Sequence, residues 1–232
     1  TGPTIPTQGA VMECTKLLYE YLGDLIVLDV GGATTDLHSV TVESDQVARL
    51  MISPEPKAKR TADGDLGVYV TRWKVVESIG EEKLREQCRE QGFSMEHALE
   101  TYRAIPKTEE EVKLVELLTR EAVVKAAERH AGRLGYIYGP CGRSTVAEGK
   151  DLTQVKYIVG TGGALTRLPH REEIMREITR CNESGMLLLP GEHAQILVDH
   201  DYIMASLGVL SQRSPQAAAR LLPLLKGGDT PC

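Results

Sequence analysis

The sequence has few aromatic residues, no long apolar run and no excess of basic side chains. Of its 232 residues, only one is Phe and one is Trp. No apolar stretch approaches the roughly 20 residues that a membrane-spanning helix needs, so we expect no membrane partner. The 33 Asp and Glu residues outnumber the 27 Lys and Arg residues, which gives a net charge of −6. We therefore expect no nucleic-acid partner, because such proteins usually carry a basic surface.

The five cysteines do not follow a pattern that indicates cross-linking or zinc binding. Their number is odd and none belongs to a CxxC pair, so a disulfide framework is not expected. Cys141, in a tight Gly-Pro-Cys-Gly loop, is predicted to be an idle thiol. The first ten residues have neither the basic nor the apolar segment of a signal peptide. From these features we expect a cytoplasmic protein.

Hydrophobic spacing predicts an α/β fold. A helix over 8–22 precedes an apolar strand over 25–28. Two further strands, 37–42 and 46–52, complete a predicted antiparallel meander, with Ser44 and Asp45 in the turn. The remaining predicted strands cover 134–138 and 155–159, and the remaining predicted helices cover 68–78, 81–104, 109–130, 170–181, 202–212 and 217–225.

The longest predicted helix has a clear start. Thr108 followed by Glu111 forms a capping box, in which each side chain bonds to the other residue's backbone amide. Because residues 67–133 are mainly helical between strands, they are predicted to be an insertion subdomain. The α/β core then consists of residues 1–66 and 134–232.

The sequence DVGGATTD, residues 29–36, lies between two predicted strands. Glycines let consecutive backbone amides face one point and form a nest for an anion. Asp29 could hold Mg²⁺ through water, and an aspartate beside a phosphate requires such a cation. The alternative is a tight turn in which the aspartates only bond to the backbone.

A second glycine cluster, GTGGALTRLP at residues 160–169, follows a predicted strand and precedes a helix. In the alternative interpretation, these glycines serve only to let the strand and the helix pack closely. Both clusters end a buried strand, so both loops could open onto one edge of the same sheet. Ligands of α/β proteins bind at such edges.

These motifs resemble those of the actin, Hsp70 and sugar-kinase ATPase superfamily. DVGGATTD is similar to its second phosphate motif and VGTGGALTRLP to its adenosine motif. The resemblance implies a ribonuclease H-like lobe of the actin/Hsp70 type. PTQGAVMEC, DVGGATTDLHSV and ERHAG further resemble the accessory proteins of cobalamin-dependent glutamate mutase, often called MutL or GlmL. These are unrelated to the mismatch-repair proteins of the same name.

The resemblance assigns roles to individual residues, with ATP and Mg²⁺ as cofactors. Asp29 would hold Mg²⁺ through water or orient the attacking water. The phosphate oxygens would accept hydrogen bonds from the backbone amides of the first loop and from the hydroxyls of its two threonines. The residues of this loop are Gly31, Gly32, Ala33, Thr34 and Thr35. The adenosine would lie on the second loop, at Gly160, Gly162, Gly163, Ala164 and Arg167.

The resemblance also reaches the long helix. Glu121 and Lys125 correspond to a pair that contacts the nucleotide in Hsp70-like proteins, although their i,i+4 spacing favours a simple salt bridge. Superfamily members have two lobes, and this chain resembles only the second. We therefore expect weak ATP binding and little hydrolysis from it alone.

Three functions remain open. The first is an ATPase that reactivates or maintains a cobalamin-dependent mutase, its partner. The second is a small-molecule kinase of the same superfamily, and the third is a nucleotide-binding assembly module without turnover. A homo-oligomeric state also stays open.

Overall fold

The computed structural model describes residues 6–140 and 142–226. Its strands are β1 (Leu25–Val30), β2 (Thr35–Val40), β3 (Ala58–Asp63), β4 (Arg133–Gly139), β5 (Gly142–Glu148), β6 (Tyr157–Thr161) and β7 (Gln195–Val198). Its α-helices are α1 (Thr7–Leu22), α2 (Asp45–Ala48), α3 (Arg72–Ile79), α4 (Glu81–Glu90), α5 (Met95–Glu100), α6 (Glu109–His130), α7 (Gly162–Arg167), α8 (Arg171–Arg176), α9 (Met204–Arg213) and α10 (Pro215–Leu221). Short 3-10 turns follow α8 (Glu177–Thr179) and α10 (Leu222–Lys226).

Five strands form one mixed sheet in the order β3-β2-β1-β6-β7. The strands β1, β2 and β3 are antiparallel, whereas β6 lies parallel to both β1 and β7. This confirms an α/β fold. The strands β4 and β5 form a separate two-stranded hairpin.

Helices cover both faces of the main sheet. Alternate residues of β1 point to opposite faces, so Ile26 and Leu28 join one core and Leu25 and Val27 the other. The first core contains the apolar side of α6, and the second contains residues of α1 and α9. Because α6 packs on the sheet, the helical segment 67–133 shares a core with it.

Helix α6 begins and ends where the sequence predicts. The hydroxyl of Thr108 accepts the amide of Glu111, and the Glu111 carboxylate accepts the amide of Thr108, so the capping box is confirmed. Helix α1 is likewise confirmed, starting one residue earlier than predicted.

The predicted strand over 46–52 is wrong. The hydroxyl of Ser44 accepts the backbone amide of Val47 and caps the short helix α2 at this position. The third strand of the meander is instead β3, where no strand was predicted. Its residues are mostly half-buried or exposed at the sheet edge, so it lacks an apolar pattern.

Several other boundaries differ from the prediction. Residues 81–104 form two helices, α4 and α5, because the chain turns at Gly92 with a φ of 83°. The predicted helix over 170–181 ends in a 3-10 turn after α8, and strands β5 and β7 were not predicted. In the described part of the chain, no helix is both long and apolar enough to cross a membrane. Cys141 lies outside the described residues.

Candidate functional site

The two glycine-rich loops meet at one edge of the main sheet. Strands β1 and β6 are parallel, and Asp29 is opposite Thr161 in their register. The loops that follow them therefore emerge side by side. Between them opens a cavity of about 620 Å³, lined by Gly31 and Gly32 from the first loop and by Gly163 and Ala164 from the second.

The other walls of this cavity come from three segments. The helical segment contributes an apolar wall with Tyr69 and Tyr102, whose rings stack with centroids 5.9 Å apart. Helix α6 adds Val112 and Val115, and the region after β7 adds His200, Asp201 and Tyr202. The second glycine loop continues the lining with Thr166, Arg167, Leu168 and Pro169.

The turn between β1 and β2 presents free backbone amides. The Gly31 amide donates to the Thr34 carbonyl inside the turn. Within residues 6–140 and 142–226, the amides of Gly32 and Ala33 have no acceptor. Both residues are exposed, so these amides can receive an anion.

The segment after β3 holds this turn in place. The Gly31 and Gly32 carbonyls accept backbone amides from residues 68–70. Gly67 approaches the Ala33 backbone so closely that no Cβ could fit there. The Thr71 hydroxyl accepts the Gly67 amide at 2.9 Å. The turn is therefore positioned by the start of the helical segment as well as by its own strands.

Both threonine hydroxyls donate to groups of the protein, and their binding to phosphates stays a prediction. Thr35 is fully buried, and its hydroxyl donates to the Leu66 carbonyl at 2.7 Å. The Thr34 hydroxyl donates to Asp36 at 3.1 Å. Thr34 and Ala33 are also not among the residues that line the cavity.

Two of the glycines in the second loop pack closely against other residues, and the third has free space beside its backbone. A Cβ at Gly160 would overlap Met175, and one at Gly162 would overlap the backbone of Val30 and the Asp29 carboxylate. Gly162 also has a φ of 86°, which favours glycine. A Cβ at Gly163 would meet no atom within 4 Å. Of the three glycines, only Gly163 offers bare backbone to the cavity.

The predicted side chains of the nucleotide site are not all brought together. Arg167 is exposed and lines the cavity. Glu121 and Lys125 do not line it, and they do not pair with each other. Glu121 accepts the Ser78 hydroxyl at 2.6 Å, and Lys125 pairs with Glu128 at 2.8 Å. The expected i,i+4 salt bridge is therefore wrong.

Asp29 is half-buried at the end of β1 in a negatively charged environment. Burial and, to a smaller extent, the charges of Asp36 and Asp199 together raise the pKa of its carboxyl from the ordinary 3.8 to about 6, against the lowering effect of Arg60. Asp36 itself is buried and accepts two bonds from the Arg60 guanidinium, at 2.6 and 3.0 Å. A bound cation would favour the ionised form of Asp29.

Asp199 is a site residue that sequence reasoning missed. Its fully buried carboxylate accepts the Thr161 hydroxyl at 2.9 Å and the amides of Ile203 and Met204 at 2.9 and 3.1 Å. It thereby ties the end of β6 to the start of α9. The sequence feature that could have identified it is the position of an aspartate directly after an apolar strand. Among the described residues, no group of three or more His, Cys, Asp or Glu side chains could hold a metal ion.

Comparison with known proteins assigns the chain to a family. The family model described as MutL protein matches residues 1–224. The chain belongs to the MutL family. It is 34% identical over 233 aligned residues to Protein MutL of Clostridium tetanomorphum. That alignment covers 95% of this chain and 50% of the relative, so the chain spans about half the length of the curated MutL protein that it matches.

Proposed function

We propose that this chain is a nucleotide-binding lobe of an ATP-dependent accessory protein that reactivates or maintains a cobalamin-dependent mutase of the glutamate mutase type. The observation that carries the proposal is the meeting of two glycine-rich loops, 131 residues apart in sequence, at one cavity of about 620 Å³. Ligand sites of α/β proteins form where loops leave the carboxyl ends of neighbouring strands. Membership of the MutL family supports the accessory role.

The proposed fold is a ribonuclease H-like lobe of the actin/Hsp70 type. Its support is the sheet order β3-β2-β1-β6-β7, in which an antiparallel meander adjoins two parallel strands. The phosphate loop would be the β1–β2 hairpin, and the adenosine loop would be the start of α7. In this arrangement one lobe supplies half of the nucleotide's surroundings.

The residues that line the cavity, together with Ala33 and Asp29 beside it, fit ATP with Mg²⁺ in three respects. The free amides of Gly32 and Ala33 would bind phosphate oxygens. Asp29 would hold Mg²⁺ through water. The nearby cation would lower the raised pKa of Asp29, because it favours the ionised carboxylate. Open backbone at Gly163 and the guanidinium of Arg167 would face the adenosine. Bound Mg²⁺ would supply the charge that lets the carboxylate and the phosphates lie close together.

The structure suggests how nucleotide contact would reach the rest of the protein. The phosphate turn is hydrogen-bonded to residues 68–70, which begin the helical segment. Arg129 near the end of α6 binds Asp63 at 2.8 Å and Asp65 at 2.7 and 2.8 Å, just before that segment. A nucleotide that moves the turn would therefore act on the helices, and we propose that the mutase is regulated through them.

Binding of Mg·ATP by calorimetry tests the nucleotide site. The decisive variant is Gly163→Val, because Gly163 lines the cavity and a Cβ added there would meet no protein atom within 4 Å. Gly139→Val is the matched control, since its position is equally open but lies on the β4–β5 hairpin. We expect weak binding by the wild type and by Gly139→Val, and none by Gly163→Val. Equal binding by all three would refute the assignment of the second loop.

Copurification tests the partner. A tagged chain is mixed with a glutamate mutase-type cobalamin enzyme and recovered by its tag. We expect the amount of mutase recovered with the chain to differ between samples with and without Mg·ATP. The Gly163→Val variant should lose the nucleotide dependence while keeping its basal retention. Retention that is absent under every condition would contradict a role for this lobe in contacting the mutase.

A further inference from the structure

Tyr202 has an unusual backbone conformation. Among the described residues it is the only one other than glycine with a positive φ, which is 54°. This left-handed region is unfavourable for L residues with a side chain. Strain of this kind persists only where surrounding contacts impose it, and it is concentrated at functional sites.

The buried carboxylate of Asp199 imposes this conformation. It accepts the amides of Ile203 and Met204, the two residues that follow Tyr202. The Tyr202 amide in turn donates to the Asp199 carbonyl at 3.2 Å. Because Thr161 also binds the same carboxylate, the turn is anchored to the end of β6. The strained residue is thus fixed relative to the second glycine loop.

The result is a tyrosine held at the cavity wall. Tyr202 lines the cavity together with Gly31, Gly32 and Gly163, and the residue is 56% exposed. Partial burial raises the pKa of its phenol, and the charges of Asp29 and Asp199 raise it further. The phenol therefore keeps its proton, and it lies within electrostatic reach of the carboxylate at the phosphate turn.

The cavity has few hydroxyl groups that could bind a ligand. Its four hydroxyl-bearing side chains are Tyr69, Tyr102, Thr166 and Tyr202. The Tyr102 hydroxyl donates to the Val68 carbonyl and that of Thr166 to the Gly162 carbonyl. Within the described residues, the hydroxyls of Tyr69 and Tyr202 have no partner. Tyr69 stacks on Tyr102 in the apolar wall. Tyr202 follows Asp199, whose carboxylate binds Thr161 opposite Asp29, so its hydroxyl is the free one on the side of the phosphate turn.

We propose that the Tyr202 hydroxyl donates a hydrogen bond to the phosphate end of the nucleotide, held there by the strained turn that Asp199 fixes. This inference rests on the proposed function, because it names a further residue of the same site. It also explains why the chain keeps a side chain at a position where glycine would relieve strain. A hydrogen bond to a charged phosphate is among the stronger kinds.

Calorimetric titration with Mg·ATP and with Mg·tripolyphosphate tests the hydroxyl. We expect Tyr202→Phe to weaken both ligands by about tenfold or more, since a hydrogen bond to a charged group is lost. Tyr21→Phe is the matched control, because Tyr21 on α1 is 59% exposed and does not line the cavity. Binding of both ligands that is unchanged in Tyr202→Phe would overturn the inference while leaving the proposed function intact. A wild type that binds neither ligand would overturn both.

A second variant separates ligand binding from structural support. In Tyr202→Gly the relief of backbone strain offsets the extra flexibility that glycine gives the unfolded chain, so we expect a melting temperature that is not lowered. Its affinity for both ligands should fall at least as far as that of Tyr202→Phe. A lowered melting temperature would show that the ring supports the fold and would overturn the inferred strain.

Discussion

Replacing Asp29 by asparagine should make the protein more stable at neutral pH. The carboxyl is half-buried beside two other carboxylates, Asp36 and Asp199, which disfavour its ionisation. Asparagine has nearly the same shape and carries no charge. The variant therefore removes an electrostatic cost that the wild type bears whenever Asp29 is ionised.

The size and pH range of the effect follow from the pKa of Asp29. A rise from 3.8 in the unfolded chain to about 6 in the fold corresponds to about 3 kcal/mol. Because the folded pKa is raised, the stabilising contribution of the protonated form is fully present below about pH 3.8. It is lost as the pH rises through about 6. The variant should therefore match the wild type near pH 3.5 and exceed it by about 3 kcal/mol above pH 7.

Urea denaturation of both proteins between pH 3.5 and 8 measures this difference. Comparing the two proteins at each pH cancels the titration of all other groups. Mg·ATP should stabilise the wild type more than Asp29→Asn, because a cation near the carboxylate favours its ionised form. A stability difference that does not change with pH, or an asparagine variant that is less stable at neutral pH, would refute the reasoning.

Two further predictions concern the packing beneath the site. A Cβ at Gly208 would overlap the Ala10 carbonyl, so Gly208→Ala should lower the free energy of unfolding by about 2 kcal/mol or more. The control Gly163→Ala should not lower it, because a Cβ there meets no atom within 4 Å. Equal urea midpoints for the two variants would contradict this prediction. Burial lowers the pKa of His38 to about 4, so the stability it contributes is present above pH 6.5 and is lost as the pH falls through 4. Relative to His38→Leu, the free energy of unfolding of the wild type should therefore fall by about 3 kcal/mol as the pH is lowered over that range. Parallel plots of unfolding free energy against pH for the two proteins would show that His38 does not titrate as expected.

Local signals allowed some elements to be predicted to the residue. Helix α6 runs from Glu109 to His130 as predicted, because its capping box and its apolar stripe are both encoded within one segment. The hairpin of β1 and β2 around the glycine turn was also predicted. Both depend on residues that are close in sequence.

Elements without an apolar pattern were missed. The edge strand β3 has the sequence AKRTAD, and its pairing with β2 is what makes it a strand. The segment predicted as the third strand instead follows Ser44, whose cap favours a short helix. Propensity alone could not decide between these two segments, because tertiary pairing outweighed it.

The site was predicted at the level of loops but not of individual side chains. The sequence could not show that Gly162 packs against β1 whereas Gly163 is open, since this depends on the register of two strands. It also could not show that Thr161 binds Asp199, 38 residues away. Long-range contacts of this kind assign each residue of a motif either to packing or to the ligand.

The most direct test of the account is an amide NMR titration of the chain with Mg·ATP. If the nucleotide lies between the two glycine loops, the amide resonances of Gly31, Gly32 and Gly163 should shift in proportion to occupancy. Those of Gly139 and Gly185, which do not line the cavity, should stay unchanged. Saturable shifts confined to residues outside both loops, or no shifts at millimolar nucleotide, would contradict the central claim.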